Sequence, residues 1–125
     1  MRAIIAVATL LSGPALADSV RHLDVPERLV GTWAPSTELC RDDKSTIVVS
    51  SRGYASTQES CEVQWVTETA GRDGPIYSAR LRCAKPGAPE QKEEQNRLIV
   101  PRADGQFSAG SGFDDLKSYQ RCPTN

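Results

Sequence analysis

Four cysteines constrain the fold more than any other feature of this 125-residue chain: Cys40, Cys61, Cys83 and Cys122. Large apolar side chains are few, with two tryptophans, three tyrosines and two phenylalanines in all, and small domains with sparse cores commonly depend on cross-links. Zinc ligation is not indicated, because no Cys-x-x-Cys pair is present and the lone His22 is distant in sequence from all four cysteines. The sequence therefore predicts two disulfides, with three possible connectivities.

The N-terminal residues have the pattern of a cleavable signal peptide. Arg2 supplies a positive charge, residues 3–11 are almost entirely apolar, and Ala15-Leu16-Ala17 offers small residues to a signal peptidase. The apolar run is shorter than the roughly 18 to 20 residues of a spanning helix. We predict a signal peptide over residues 1–17 and a periplasmic or secreted mature chain that begins at Asp18, in a compartment where disulfides form.

The rest of the chain has the pattern of short strands separated by turn residues, and no window shows sustained helical periodicity. The candidate strands are Leu29–Ala34, Thr46–Ser51, Gly53–Thr57, Cys61–Glu68, Ile76–Cys83, Arg97–Pro101, Phe107–Ala109 and Lys117–Cys122. Two segments lie outside the pattern: residues 18–28, an N-terminal extension, and residues 86–96, a solvated loop or one helical turn. The fold class predicted for residues 29–125 is all-β, a small antiparallel up-and-down barrel of about eight strands, with a small sandwich as the alternative.

One hairpin can be aligned from the sequence alone. Gly71-Arg72-Asp73-Gly74 is a strong turn signal between two alternating segments. The expected register pairs Val63 with Leu81, Trp65 with Ala79 and Cys61 with Cys83, all on the inward face. This register would link Cys61 to Cys83 and leave Cys40 for Cys122, a geometry that antiparallel strand pairs permit.

No catalytic constellation is recognisable in the sequence. Nucleophilic catalysis needs an ordered base, and His22 lies only four residues after the predicted mature terminus. Asp42-Asp43 and Asp114-Asp115 lie in turn-like stretches, where aspartate commonly stabilises the turn itself. Phosphate-loop and dinucleotide motifs are absent from the sequence. We predict no enzyme activity, no cofactor and no metal.

The charge balance bears on the class of partner. The chain has 15 basic and 16 acidic residues, for a formal net charge of −1, and neither sign is concentrated. This composition does not favour nucleic acid or an anionic membrane as a partner. We expect a monomer without a membrane span.

The first part of the predicted mature chain resembles a known family. Ser19-Val20-Arg21, Pro26, Leu29-Val30-Gly31-Thr32-Trp33 and Cys40 are similar to the start of the bacterial alkaline-proteinase inhibitors, the Inh-type family. The resemblance implies an eight-stranded periplasmic barrel whose N-terminal segment inserts into the active-site cleft of a secreted zinc metalloprotease. By position, the protease contact would fall to Asp18, Ser19, Val20, Arg21 and His22. The resemblance also implies disulfides Cys40–Cys61 and Cys83–Cys122.

The Gly31-x-Trp33 motif is also similar to that of lipocalins, in which an arginine of the last strand packs over the tryptophan. By this second resemblance Arg121 would cover Trp33 through a cation–π contact. The leading prediction is an exported protein-binding module that inhibits a secreted or periplasmic hydrolase, either a metalloprotease or another enzyme such as lysozyme. The alternatives are a lipocalin-like small-ligand carrier and a structural, envelope-associated module.

Overall fold

A computed structural model describes residues 4–6, 19–102 and 104–124. Most of the predicted signal peptide and Asp18 lie outside these residues. No helix within the described ranges is both long and apolar enough to cross a membrane.

The described residues form nine strands and three short 3₁₀ helices. The strands are β1 (Ser19–His22), β2 (Gly31–Ala34), β3 (Ile47–Val49), β4 (Gly53–Ala55), β5 (Ser60–Gly71), β6 (Gly74–Ala84), β7 (Lys92–Pro101), β8 (Phe107–Gly110) and β9 (Lys117–Arg121). The 3₁₀ helices span Glu27–Leu29, Thr37–Arg41 and Phe113–Asp115.

Strands β2 to β9 form a closed antiparallel barrel. Each pairs with the next along the chain, and β9 returns to β2 through the register Trp33↔Arg121. Strand β1 is an addition to this ring: it pairs with the far half of β5, as in Val20↔Glu68, whereas β4 pairs with the near half, as in Gly53↔Glu62. The eight-stranded up-and-down barrel predicted from the sequence is confirmed, and β1 is a ninth strand.

The β5–β6 hairpin confirms part of the predicted register. Val63 pairs with Leu81, and the turn closes between Gly71 and Gly74. The predicted pairing of Trp65 with Ala79 is wrong, because a β-bulge between Val63 and Trp65 shifts the register by one residue. A one-residue shift reverses the face of every later side chain. Val66 therefore points inward at 1% exposure, and Trp65 lies on the outer face, under the Arg21 guanidinium.

The disulfides follow the hairpin register. Cys61 pairs with Cys83 across β5 and β6, with their Cα atoms 4.0 Å apart. Cys40, in the 3₁₀ helix Thr37–Arg41, is bonded to Cys122 at a Cα separation of 5.6 Å. The pairing implied by the inhibitor resemblance, Cys40–Cys61 with Cys83–Cys122, is wrong because Cys61 faces Cys83 directly inside the barrel.

Part of the charged segment 86–96 is a strand, although the sequence predicts a loop or one helical turn there. Strand β7 begins at Lys92, so this prediction is wrong for residues 92–96. Pairing with β6 continues from Tyr77↔Ile99 to Ala84↔Lys92. The charged side chains fit this strand because they point to solvent, where Arg80 forms an ion pair with Glu94.

Candidate functional site

One end of the barrel is closed by the chain that enters β2. Val25 and Leu29 belong to the core cluster and are 8% and 3% exposed. Leu29 ends the 3₁₀ helix Glu27–Leu29, and Val25 precedes this helix. The Trp33 indole donates a hydrogen bond to the Leu29 carbonyl at 3.0 Å, and its ring centroid lies 4.4 Å from that of Phe107. This end is therefore a packed plug.

Arg121 covers the plug, as the lipocalin resemblance implied. Its guanidinium carbon lies 4.4 Å from the centroid of Trp33, and the group donates to the carbonyls of Val30, at 2.7 Å, and Arg28. Gly31 has φ = +146°, and a Cβ at this position would overlap Arg121 Nη1. Glycine is therefore required here for its backbone conformation and for the space that the guanidinium fills.

Behind the plug, the barrel interior is apolar and small. Its cavity is about 70 Å³ in volume and is lined mainly by aliphatic and aromatic side chains. The largest fully buried side chains are Tyr77, Leu81, Val63 and Val66, at 1% to 2% exposure. Ligand pockets usually measure about 300 to 1,000 Å³, so the interior is a filled core.

The opposite end of the barrel is an open, polar mouth of about 370 Å³. It is formed by the loops that follow β2, β4 and β8 and by the adjoining strand ends. Its charged lining residues are Lys44, Glu59, Arg97, Asp115 and Lys117. Tyr54, Arg97 and Tyr119 line both the mouth and the interior cavity, so the two spaces are adjacent.

Arg97 is the principal charged group where the mouth meets the interior. It faces Ala79 in the β6–β7 register, on the inward side, and its side chain is 23% exposed. Its Nη2 donates to Glu59 Oε1 at 3.5 Å, and its guanidinium carbon lies 5.0 Å from the centroid of Tyr54. Gln95 also donates to Glu59, at 3.3 Å. Burial raises the pKa of Tyr54, and the nearby Arg97 charge opposes this rise.

The N-terminal segment forms a second candidate surface on the flank of the barrel. Four of the five predicted protease-contact residues, Ser19, Val20, Arg21 and His22, form β1 on β5. Arg21 stacks over Trp65 at 4.4 Å, and His22 Nε2 lies 2.9 Å from Glu68 Oε1. Val20 and the following Leu23 are 52% and 67% exposed. The segment is thus held along the barrel wall, with apolar side chains presented to solvent.

Among the described residues, a cluster of three potential metal ligands is the one candidate for a metal centre. Glu59, Cys61 and Cys83 are the one group of potential metal ligands brought together in this part of the chain, and the Cys61–Cys83 disulfide removes both thiolates from use as ligands. The partner of His22 is the carboxylate of Glu68 rather than a nucleophile.

One aspartate of each acidic pair stabilises a turn through its side chain, as the sequence suggested. Asp42 accepts hydrogen bonds from the Lys44 amide at 3.1 Å and the Ser45 hydroxyl at 2.9 Å. The Asp115 carboxylate accepts hydrogen bonds from the Ser111 amide, the Ser111 hydroxyl and the Gly112 amide, the last at 2.8 Å. These hydrogen bonds, chiefly that from the Ser111 hydroxyl, lower the pKa of Asp115 to about 2.

The Asp115 contacts predict an acid transition in the loop that borders the mouth. Because the folded pKa is lowered, the stabilisation is complete above the ordinary value of 3.8 and is lost as the pH falls through about 2. An NMR titration of the Ser111 and Gly112 amide shifts should therefore have its midpoint near 2. Asp115→Asn should abolish this transition, and a wild-type midpoint near 3.8 would contradict the assignment.

Comparisons with known proteins give no match: no family model, curated protein sequence or solved structure is significantly similar to the chain. The chain folds as a small antiparallel β-barrel that has two disulfides and is closed at one end. The resemblances to inhibitors and lipocalins rest on the residues quoted above, and function is inferred from the geometry.

Sequence reasoning missed the mouth. The sequence predicts a strand that begins at Arg97, whereas β7 begins at Lys92 and includes Gln95, which faces inward as Ile99 does. Arg97 lies two residues before Ile99 and therefore on the same face of the strand. This spacing is the signal that could have identified an inward-facing cation. Glu59 precedes β5 in a turn, and the sequence gives no indication that it meets Arg97.

Proposed function

We propose that this chain is an exported protein-binding module that inhibits a secreted or periplasmic hydrolase, with a zinc metalloprotease as the first target to test. The observation that carries the proposal is the position of β1, an exposed strand that contains Val20, is followed by the exposed Leu23 and lies on the flank of a filled barrel. The two disulfides suit an oxidising, non-cytoplasmic compartment.

Strand β1 has the properties of a docking edge. Its residues pair with β5, and no strand of the described chain pairs with the other edge of residues 20–22. An exposed edge can add an extended segment of another protein through main-chain hydrogen bonds, with specificity from alternate side chains. Val20 and Leu23 would supply apolar contact area at this edge.

The placement of β1 modifies the mechanism that the family resemblance implies. Residues 19–22 would have to leave β5, the Arg21–Trp65 stacking and the His22–Glu68 contact in order to enter a cleft as a free tail. Docking of the intact edge requires no such loss. We favour a mode in which β1 remains on the barrel and the hydrolase cleft receives it as an extended strand.

The filled interior supports a protein partner over an enclosed ligand. A carrier of apolar molecules needs a cavity several times larger than about 70 Å³. Enlarging it would require displacement of side chains such as Tyr77 and Leu81, which are 1% and 2% exposed. Removing such contacts typically costs several kcal/mol, about 2 to 5 for each large side chain.

Charge substitution on the proposed edge tests this function. Val20→Lys with Leu23→Lys should weaken inhibition of a serralysin-type metalloprotease by about tenfold or more, because each lysine replaces apolar contact area with a charge that must be desolvated. The measurement is the inhibition constant of the mature protein, with lysozyme assayed in parallel. Val48→Lys is the matched control, since Val48 is 49% exposed on β3, and it should leave inhibition unchanged.

A deletion provides the second arm of this test. Removing residues 18–22 leaves every strand of the closed ring in place, so the barrel should still fold while inhibition is lost. Equal potency of the deleted and full mature proteins would contradict a role for β1. Absence of inhibition of both enzyme classes by the full mature protein would contradict the proposed function.

A further inference from the structure

We propose that the polar mouth of the barrel binds a small organic anion, whose carboxylate or similar acidic group is received by Arg97. This site is separate from the edge proposed above, because Glu59 precedes the first residue of β5 whereas β1 pairs with residues 66–69 of that strand. A result that contradicts one proposal therefore leaves the other unaffected.

The hydrogen bonding of Arg97 is incomplete within the protein. A guanidinium carries five N–H donors, yet the one hydrogen bond found for it among the described residues is that from Nη2 to Glu59, at the long distance of 3.5 Å. Its buried Nε has no acceptor in the described chain. Buried polar groups are almost always satisfied. A ligand in the mouth cannot reach the buried Nε, but the Nη groups, of which only Nη2 has a hydrogen bond among the described residues, are available to an acidic group.

The charges around the mouth favour an anion. Lys44 and Lys117 line it without an ion pair among the described residues, and Arg97 adds a third cation. Of the two carboxylates, Asp115 is occupied by hydrogen bonds from Ser111 and Gly112. Glu59 is the lining carboxylate that contacts Arg97, and three cations against two carboxylates leave the lining with a positive formal charge.

The walls and size of the mouth indicate the rest of the ligand. A space of about 370 Å³ accommodates a compact molecule rather than a long chain. Tyr54 and Tyr119 line the mouth beside the interior cavity, and Ile47 and Ala109 add apolar surface to both spaces. A single acidic group attached to a small apolar or aromatic body would match these features.

Benzoate is a suitable probe, with benzyl alcohol and benzylamine as neutral and cationic analogues of similar shape. We expect benzoate, followed by NMR at low salt, to shift the backbone amides of Tyr54, Arg97 and Tyr119 in a saturable manner. Benzyl alcohol and benzylamine should bind about tenfold more weakly or not at all. Equal affinity for the three probes, or no shift of these amides by about 10 mM benzoate, a weak-binding limit, would overturn the proposal.

Two substitutions with opposite expected effects on benzoate affinity test whether Arg97 binds the probe. Arg97→Gln should weaken benzoate binding by about tenfold or more, through loss of charge-assisted hydrogen bonds. Glu59→Gln should tighten binding severalfold, because it removes the competing carboxylate. The reverse pattern, with weaker binding in Glu59→Gln and unchanged binding in Arg97→Gln, would overturn the proposal.

Lys44 and Lys117, the two exposed lysines that line the mouth, are here called the rim lysines. Their substitution is a test that does not disturb the interior. Lys44→Gln with Lys117→Gln changes two exposed side chains and should weaken benzoate binding about two- to fivefold, the range expected for exposed charges. Arg52→Gln is the control, since Arg52 lies in the β3–β4 turn, outside the mouth. If Arg97→Gln fails to fold, equal benzoate affinity of the rim variant and the control would overturn the proposal.

Discussion

Replacing Cys40 and Cys122 together by alanine is expected to lower the free energy of unfolding by roughly 4.5 kcal/mol, because this bond spans 82 residues and constrains a long loop of the unfolded chain. The corresponding change at Cys61 and Cys83, 22 residues apart, is expected to cost roughly 3.5 kcal/mol on the same basis. Urea denaturation of the two variants beside the wild type would measure both values.

The order of the two disulfide effects is the informative result. A larger loss for the Cys61–Cys83 pair would show that core packing, rather than loop length, dominates, since Cys61 and Cys83 are 5% and 3% exposed inside the barrel. Non-reducing peptide mapping should recover Cys40 linked to Cys122. Recovery of Cys40 linked to Cys61 would contradict the structure.

The two tryptophans are expected to differ greatly in their contribution to stability. Trp33→Ala should cost about 3 to 5 kcal/mol, because Trp33 is 4% exposed, contacts Phe107 and lies under Arg121. Trp65→Ala should cost about 1 kcal/mol, since it removes a partly exposed side chain and one cation–π contact with Arg21.

Thermal or urea unfolding of the two alanine variants measures this difference, and Trp65→Ala serves as the matched control for loss of an indole. Similar losses in the two variants would contradict the bulge that turns Trp65 outward. The fluorescence of each single-tryptophan protein should report the same asymmetry, with Trp33 shielded from an added quencher and Trp65 accessible to it.

Local patterns were sufficient to predict the barrel. The Gly71 to Gly74 turn and the alternation around Val63 and Leu81 specify a hairpin without reference to the rest of the chain, and both are present in the structure. The contact of Arg121 with Trp33 followed from a resemblance that concerns the same small set of residues. These features depend on nearby residues or on one arrangement of a glycine, a tryptophan and an arginine.

Features that depend on distant partners were not predictable in the same way. The bulge before Trp65 cannot be distinguished from regular alternation until β1 and β6 are both placed against β5. The charges of residues 92–96 resemble those of a loop, and only the pairing with β6 makes them a strand. The mouth combines Glu59 and Arg97, which are separated in sequence by all of β5 and β6, the loop that follows them and the first half of β7.

Because β1 is joined to the flank of β5 and takes no part in closing the ring, its sequence can diverge without a penalty to barrel closure. Selection could thus alter the side chains at Val20 and Leu23 rapidly while the disulfides and the Trp33 plug preserve the scaffold. The same separation makes β1 a natural grafting position, where a foreign recognition peptide could be displayed on an already stable barrel.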